Sequence, residues 1–286
     1  MRWKLKIKFG MSGESKMTLY FFGQNSGIIN CKSSDMKVNI LTERKLCFKA
    51  LVGSHNYNLN NEFSDKDYKI FFYPNFDDLY GGGQYSKAFV SNVEDVEYHD
   101  IRKLPNLLFK SNVNFMEVLF SEEYEVYGRE LFSKIIALRD DLAKMNIPYL
   151  YDACFGMYMQ KMKEFNRDKV KDFADVLTSK TYKHAMSSYR ILDFLDRYQK
   201  STFSSFKQAM QYDAKDPVRS LLLDIRLGKY NFEQLEEMIS KKEQVIRSFQ
   251  DIYKSVKVNE TLKEKFEQLI KESVKAALVE SINGSE

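Results

Sequence analysis

Cysteine is scarce in this chain. Cys31, Cys47 and Cys154 are odd in number, far apart and form no C-x-x-C pair, which argues against a disulfide framework or a cysteine-ligated zinc site. There are only 4 prolines and 12 glycines in 286 residues, and neither a low-complexity tract nor an internal repeat breaks the sequence. No apolar run approaches the roughly 20 residues that span a bilayer, so no membrane partner is expected. The basic start MRWKLKIKFGMSGESK lacks a sustained apolar stretch, so no secretory leader is expected and the chain reads as cytoplasmic. Strong charge of one sign is missing too. A formal charge of +4 permits an anionic substrate without demanding one, and nothing fixes an oligomeric state.

What is present suits a folded, helix-rich protein of one large or two modest domains: 44% hydrophobic, 29% charged and 14% aromatic residues. Residues 1–35 read as an extension, with LKIKF and MTLYFF as short strand candidates and Met36 as a second candidate start. NILTERKLCFKALVGS predicts a helix capped by Thr42, with Leu46, Phe48, Leu51 and Val52 as its stripe and Gly53 as its end. YKIFFYP, residues 68–74, predicts a strand buried on both faces. DDLYGGGQYS reads as a glycine-rich loop, and VEDVEYHDI, residues 93–101, alternates as a second strand. RKLPNLLFKSNVNFMEVLFSEE reads as helix, loop and helix. Beyond residue 121 every segment has helical spacing, with Asp216-Pro217 as a start signal and Gly228 as a stop. The expected fold is therefore α+β, a mixed sheet with helices over residues 36–120 followed by an all-helical domain over 121–286.

The chemistry concentrates in GSHNYNLNNEFSDKDYKIFFYP. Residues two apart on a strand share a face, so Asp65 and Asp67 point one way and Lys66 the other. Paired carboxylates repel unless a cation lies between them, and Mg²⁺ suits such oxygen ligands. Asp95 or Glu97, which share a face of the next strand candidate, could supply a third carboxylate and complete a two-metal site for phosphoryl or nucleotidyl transfer. Gly53 would let the backbone approach a bulky anion, and Ser54 offers a hydroxyl to phosphate oxygens. A lone D-x-D is most often solvated surface, and a lone Gly-Ser is weaker still. Their combination ahead of a buried strand is the stronger signal.

This stretch resembles the G-S-x-x-Y-G-L…S-D-x-D signature of the DNA polymerase β-type nucleotidyltransferases. More narrowly, it resembles the predicted nucleotidyltransferases of bacteria and phages that include RNA-repair-associated polymerases. EDVEYHDIRKLPNLLFKSNVNFMEVLFS, YKHAMSSYRILDFL and LLLDIRLGKYNFEQLEE resemble further segments of that family, in the same order, over roughly residues 40–257. The resemblance implies transfer of a nucleoside monophosphate from an NTP to a hydroxyl, with two Mg²⁺ ions and an RNA 3′ end as the most concrete acceptor. It implies that Gly53 and Ser54 bind triphosphate and that Asp65, Asp67 and a third carboxylate, Asp95 ahead of Glu97, hold metal. Arg190 is the candidate triphosphate contact from the helical half, since a guanidinium binds phosphate bidentately. Asn58, Val113 and Ser187-Ser188 depart from the family pattern without touching those ligands.

Other residues have blander readings. Arg190 could equally be a core-edge arginine paired with Asp193 or Asp196. His55 has two readings, a phosphate contact and an exposed loop histidine, while His99 reads as a structural hydrogen-bonder and Lys87 as a solvated lysine. Asn114 and Glu117 look structural, with a site-supporting role left open by the resemblance. The C-terminal KVNETLKEKFEQLIKESVKAALVE reads as an amphipathic helix. Two other classes compete with RNA-directed transfer. One is nucleotidylation of a protein or small molecule; the other is a non-catalytic nucleotidyltransferase-like module serving as an antitoxin or scaffold.

Overall fold

The computed structural model describes residues 16–20, 28–32, 44–62, 64–90, 94–171 and 179–283. The expectations for LKIKF, Met36 and Thr42 lie outside them. Strands β1 (Lys16–Tyr20) and β2 (Ile28–Lys32) pair antiparallel as a two-stranded sheet. The main sheet contains β3 (Leu46–Val52), β4 (Lys66–Phe72), β5 (Ser86–Val90), β6 (Glu94–Asp100) and β7 (Tyr124–Val126), in the order β5-β6-β4-β3-β7. Among the described residues, β4 and β6 run parallel and the other pairs of this sheet are antiparallel. It is a mixed sheet in an α+β fold.

The segment expected to be a helix before Gly53 is instead β3, an interior strand. Cys47, Phe48, Ala50, Leu51 and Val52 are all buried, and such a short apolar run fits either periodicity. Pairing between β4 and β7 on either side decides the outcome, and the expectation fails. Helix α1 (Gly53–Asn56) is a single turn that follows at once. The expected glycine-rich loop also begins as helix: α2 (Phe76–Tyr80) opens with a reciprocal capping box between Asn75 and Asp78. The glycines begin only after it.

From β6 the chain enters a 3₁₀ turn (Ile101–Lys103), α3 (Leu104–Phe109), α4 (Val113–Met116) and a second 3₁₀ turn (Glu117–Phe120). Val113, where the family has proline, occupies the first position of α4 behind the Asn112 cap. β7 lies past residue 120, so the sheet reaches into the stretch expected to be wholly helical. The helical half then runs α5 (Arg129–Ala137), α6 (Arg139–Lys144), α7 (Ile147–Lys171), α8 (Ser179–Lys200), α9 (Phe206–Met210), α10 (Pro217–Arg226), α11 (Phe232–Ser248), α12 (Gln250–Ser255) and α13 (Glu260–Asn283). Asp216 caps α10, and Gly228 follows it with a φ of 77°, as start and stop signals require. Among the described residues, no helix is long and apolar enough to cross a membrane.

The two faces of the sheet have different partners. Phe48, Ala50, Val52 and Phe71 join a continuous core with the helices, reaching Phe194, Tyr198 and Phe206 in α8 and α9 and Phe266 in α13. Tyr68, Ile70, Phe72, Val96 and Tyr98 form a smaller cluster on the opposite face. The alternation along β4 and β6 therefore turns Asp67, Lys69, Asp95 and Glu97 toward the helical half. Cys47 and Cys154 lie in the larger core, where burial pushes both thiols up to about 12 and leaves them unreactive at neutral pH.

Candidate active site

Strand register brings the expected residues to one end of the sheet. Asp67 pairs with Val52 on one side, immediately before Gly53, and with Asp95 on the other. Asp65, one residue ahead of β4, completes a cluster in which one carboxylate oxygen from each of Asp65, Asp67 and Asp95 lies within 4.8 Å of the others. At that spacing two unit charges repel by about 3 kcal/mol for an effective dielectric near 20. Burial, followed by the charges of Asp65 and Asp95, raises the Asp67 carboxyl above its ordinary value, with Lys183 and Lys69 opposing. An all-oxygen donor set under mutual repulsion fits a hard divalent cation.

Gly53 has a reason of its own to be glycine. Its φ is 73°, and a Cβ there would lie 2.4 Å from Oδ2 of Asp67. The turn thus packs directly against a carboxylate of the cluster. Its amide is not open to a phosphate, because Gly53 N–H donates to Glu117 Oε2 at 2.9 Å. Asn58, where the family has glycine, takes the left-handed conformation with φ 59°. Its side chain donates to the Tyr212 carbonyl at 2.7 Å, and its own carbonyl accepts from Arg219 at 2.7 Å. The departure ties the loop to the helical half.

These residues line a cavity of about 350 Å³ between sheet and helices, with Gly53, Ser54, Asp65, Asp67, Asp95 and Arg190 all on its wall. Arg190 is buried, and its guanidinium lies 4.1 Å from the Tyr57 ring centroid. The core-edge alternative for Arg190 loses its proposed partners: Lys242 binds Asp193 at 2.8 Å and Asp196 at 2.6 Å. Glu97 also borders the cavity but stands apart from the carboxylate cluster. Its Oε2 accepts from Lys69 at 2.6 Å and lies 3.1 Å from His99 Nε2. The His99 hydrogen bond, against burial and aided by Lys69, holds the Glu97 carboxyl down at about 2.

His99 also meets Ser86 Oγ at 3.0 Å and packs against Phe71 and Phe115, a structural setting. His55 is half-buried against the Ser64 carbonyl at 3.1 Å, and Lys87 lies 5.0 Å from the Phe89 ring centroid. Asn114 lines the cavity, although the cap of α4 is Asn112. Sequence reasoning missed Lys69, Lys183 and Arg226 on the same wall, and met Ser187 only as a departure from the family pattern. Lys69 continues the two-residue spacing of Asp65 and Asp67, and Arg226 stands within LLLDIRLGKY, so both had a signal. Lys183 and Ser187 depend on how α8 crosses the sheet, which no local pattern gives.

No curated protein matches the chain. Among solved structures, a nucleotidyltransferase-like protein from Exiguobacterium sibiricum 255-15 aligns over 86% of this chain and 72% of its own, at 9% identity and a TM-score of 0.28. That likeness is too slight to bear weight. The model of the RNA repair pathway DNA polymerase beta family, RlaP, matches residues 32–275, which include the whole main sheet and every residue of the carboxylate cluster. By that match the chain belongs to the RNA repair pathway DNA polymerase beta family.

Proposed function

We propose that the protein transfers a nucleoside monophosphate from an NTP to a hydroxyl, with an RNA 3′ end as acceptor. The observation that carries the reading is the convergence of Asp65, Asp67 and Asp95 at the mouth of a cavity walled by Ser54 and Arg190. The three aspartates would hold Mg²⁺, two ions on this reading, whose charge screens the triphosphate and favours displacement at phosphorus. Lys183, Arg190 and Arg226 on the same wall would offset the charge of a triphosphate once the aspartates hold metal. Ser54 and Arg190 receive the phosphates, with the guanidinium suited to bidentate contact. Asp95 orients the attacking hydroxyl and favours loss of its proton. As its oxygen bonds to the α-phosphorus, the bond to the bridging oxygen breaks and pyrophosphate leaves. Glu97 holds Lys69 rather than metal. RNA as acceptor draws its support from the family alone.

The test incubates purified protein with Mg²⁺ and each α-labelled NTP, alone and with total RNA, beside an Asp65→Ala/Asp67→Ala double variant. Label on RNA that the variant cannot add supports the reading and names the base. Label on protein instead moves the acceptor to a polypeptide. A folded protein that neither transfers nor binds Mg·NTP leaves a non-catalytic module.

A further inference from the structure

Glu117 is 3% exposed in the cavity wall, and the transfer chemistry gives it no task. Two donors converge on its carboxylate: the Gly53 N–H at 2.9 Å and the Tyr57 hydroxyl. The Tyr57 ring in turn carries the Arg190 guanidinium. Burial pushes the Glu117 carboxyl up, while those two hydrogen bonds and the charges of Lys69 and Arg190 pull it back. One buried group therefore touches the Gly53–Ser54 turn directly and Arg190 through a single aromatic ring.

We propose that Glu117 is a positioning residue for the donor nucleotide, fixing the Gly53–Ser54 turn and the Tyr57–Arg190 stack in the arrangement that receives a triphosphate. The inference rests on the nucleotidyl-transfer reading above. A carboxylate accepts with both oxygens and donates with neither, so it satisfies two converging donors. Glutamine has nearly the same shape but one acceptor oxygen. Its NH₂ can meet the Tyr57 hydroxyl only by donating to it, so that contact reverses and the hydroxyl's own hydrogen loses its acceptor in a buried place. A shift of the turn is what should follow, with the fold intact.

The test measures binding of Mg²⁺ complexes of non-hydrolysable α,β-methylene NTP analogues, beside Mn²⁺ binding by electron paramagnetic resonance. Glu117→Gln should weaken analogue binding about tenfold or more, and Mn²⁺ binding by less than about threefold. Tyr57→Phe keeps the ring under Arg190 and removes one donor, so alone it should cost about threefold. Added to Glu117→Gln it should cost little more, because both changes break the same contact. A Glu117 that does not act through Tyr57 would instead show the two losses multiplied. Analogue binding unchanged in Glu117→Gln overturns the inference, as does equal loss of analogue and Mn²⁺ or fully multiplied losses in the double variant. If Glu117→Gln does not fold, Tyr57→Phe decides alone, and wild-type affinity overturns the inference. A wild-type protein that binds no analogue is a different failure, because it removes the transfer reading itself.

Discussion

Two acidic clusters in this molecule face opposite surroundings. In the helical half, Asp193 and Asp196 share Lys242, at 2.8 and 2.6 Å, and Asp193 also accepts from Tyr212. Burial pushes Asp196 up, but the hydrogen bonds from Lys242 and Lys200 outweigh it, and the carboxyl lies below its ordinary value. At the sheet end, Asp65, Asp67 and Asp95 face one another, and Asp67 lies above its ordinary value. The first cluster gains its counter-charge from the fold. In the second, Lys183 and Lys69 lower the Asp67 carboxyl without outweighing burial and its acidic neighbours. Neutralisation, rather than acidity, separates carboxylates that hold a protein together from carboxylates that can hold a ligand.

The sharpest way to break that distinction is Asp67→Asn. The ionised Asp67 carboxylate costs stability at neutral pH, because its folded pKa is raised, and that cost fades as pH falls through the raised value. The variant should lose nucleotidyl transfer by about 10³-fold or more, yet melt a few degrees higher without metal, a gain of about 1 kcal/mol. Mg²⁺ should then raise the melting temperature of the wild type and barely move the variant. A variant that melts lower in the absence of metal would make the aspartate structural after all.

Lys242→Met should do the reverse. It leaves two aspartates in a mostly buried place without their shared cation, and should cost about 3 kcal/mol in chemical denaturation. Transfer per folded molecule should fall by less than about threefold, since the cluster lies outside the cavity. Loss of activity with stability intact would erase the contrast between the two clusters.

How much of this was legible depended on whether neighbours or distant elements set the outcome. β4 and β6 read correctly because a continuous apolar run and a two-residue alternation are local signals. The D-x-D pair sat where its strand placed it, and Asp95 fell opposite Asp67 by parallel register, a pairing that the spacing only suggested. β3 misled because burial on both faces erases the period that distinguishes strand from helix. The capping box of α2 is a local signal too, spelled out by Asn75 and Asp78 just ahead of the glycines. Lys183 and Ser187 enter the cavity through the packing of α8 on the sheet, a long-range outcome.

The smallest effect belongs to a third acidic residue, Asp78, which the fold neutralises at the surface edge of α2. Arg44 donates to both its oxygens at 2.8 Å, and that pairing, against partial burial, holds the carboxyl below its ordinary value of 3.8. A carboxyl lowered by folding adds stability that is fully present above the unfolded value and is lost as pH falls through the folded one. Asp78→Asn should therefore cost up to about 1 kcal/mol near pH 7, because the pair is partly shielded from water. The difference from wild type should shrink as the pH drops below about 4. Denaturation midpoints at pH 7, 5 and 3 would show it. A gap that stays constant over that range would assign the cost to the cap of α2, where Asp78 also accepts from the Asn75 amide at 3.1 Å, and not to the charge of Arg44. Asp78 would then leave the class of Asp196, whose lowered carboxyl depends on lysine.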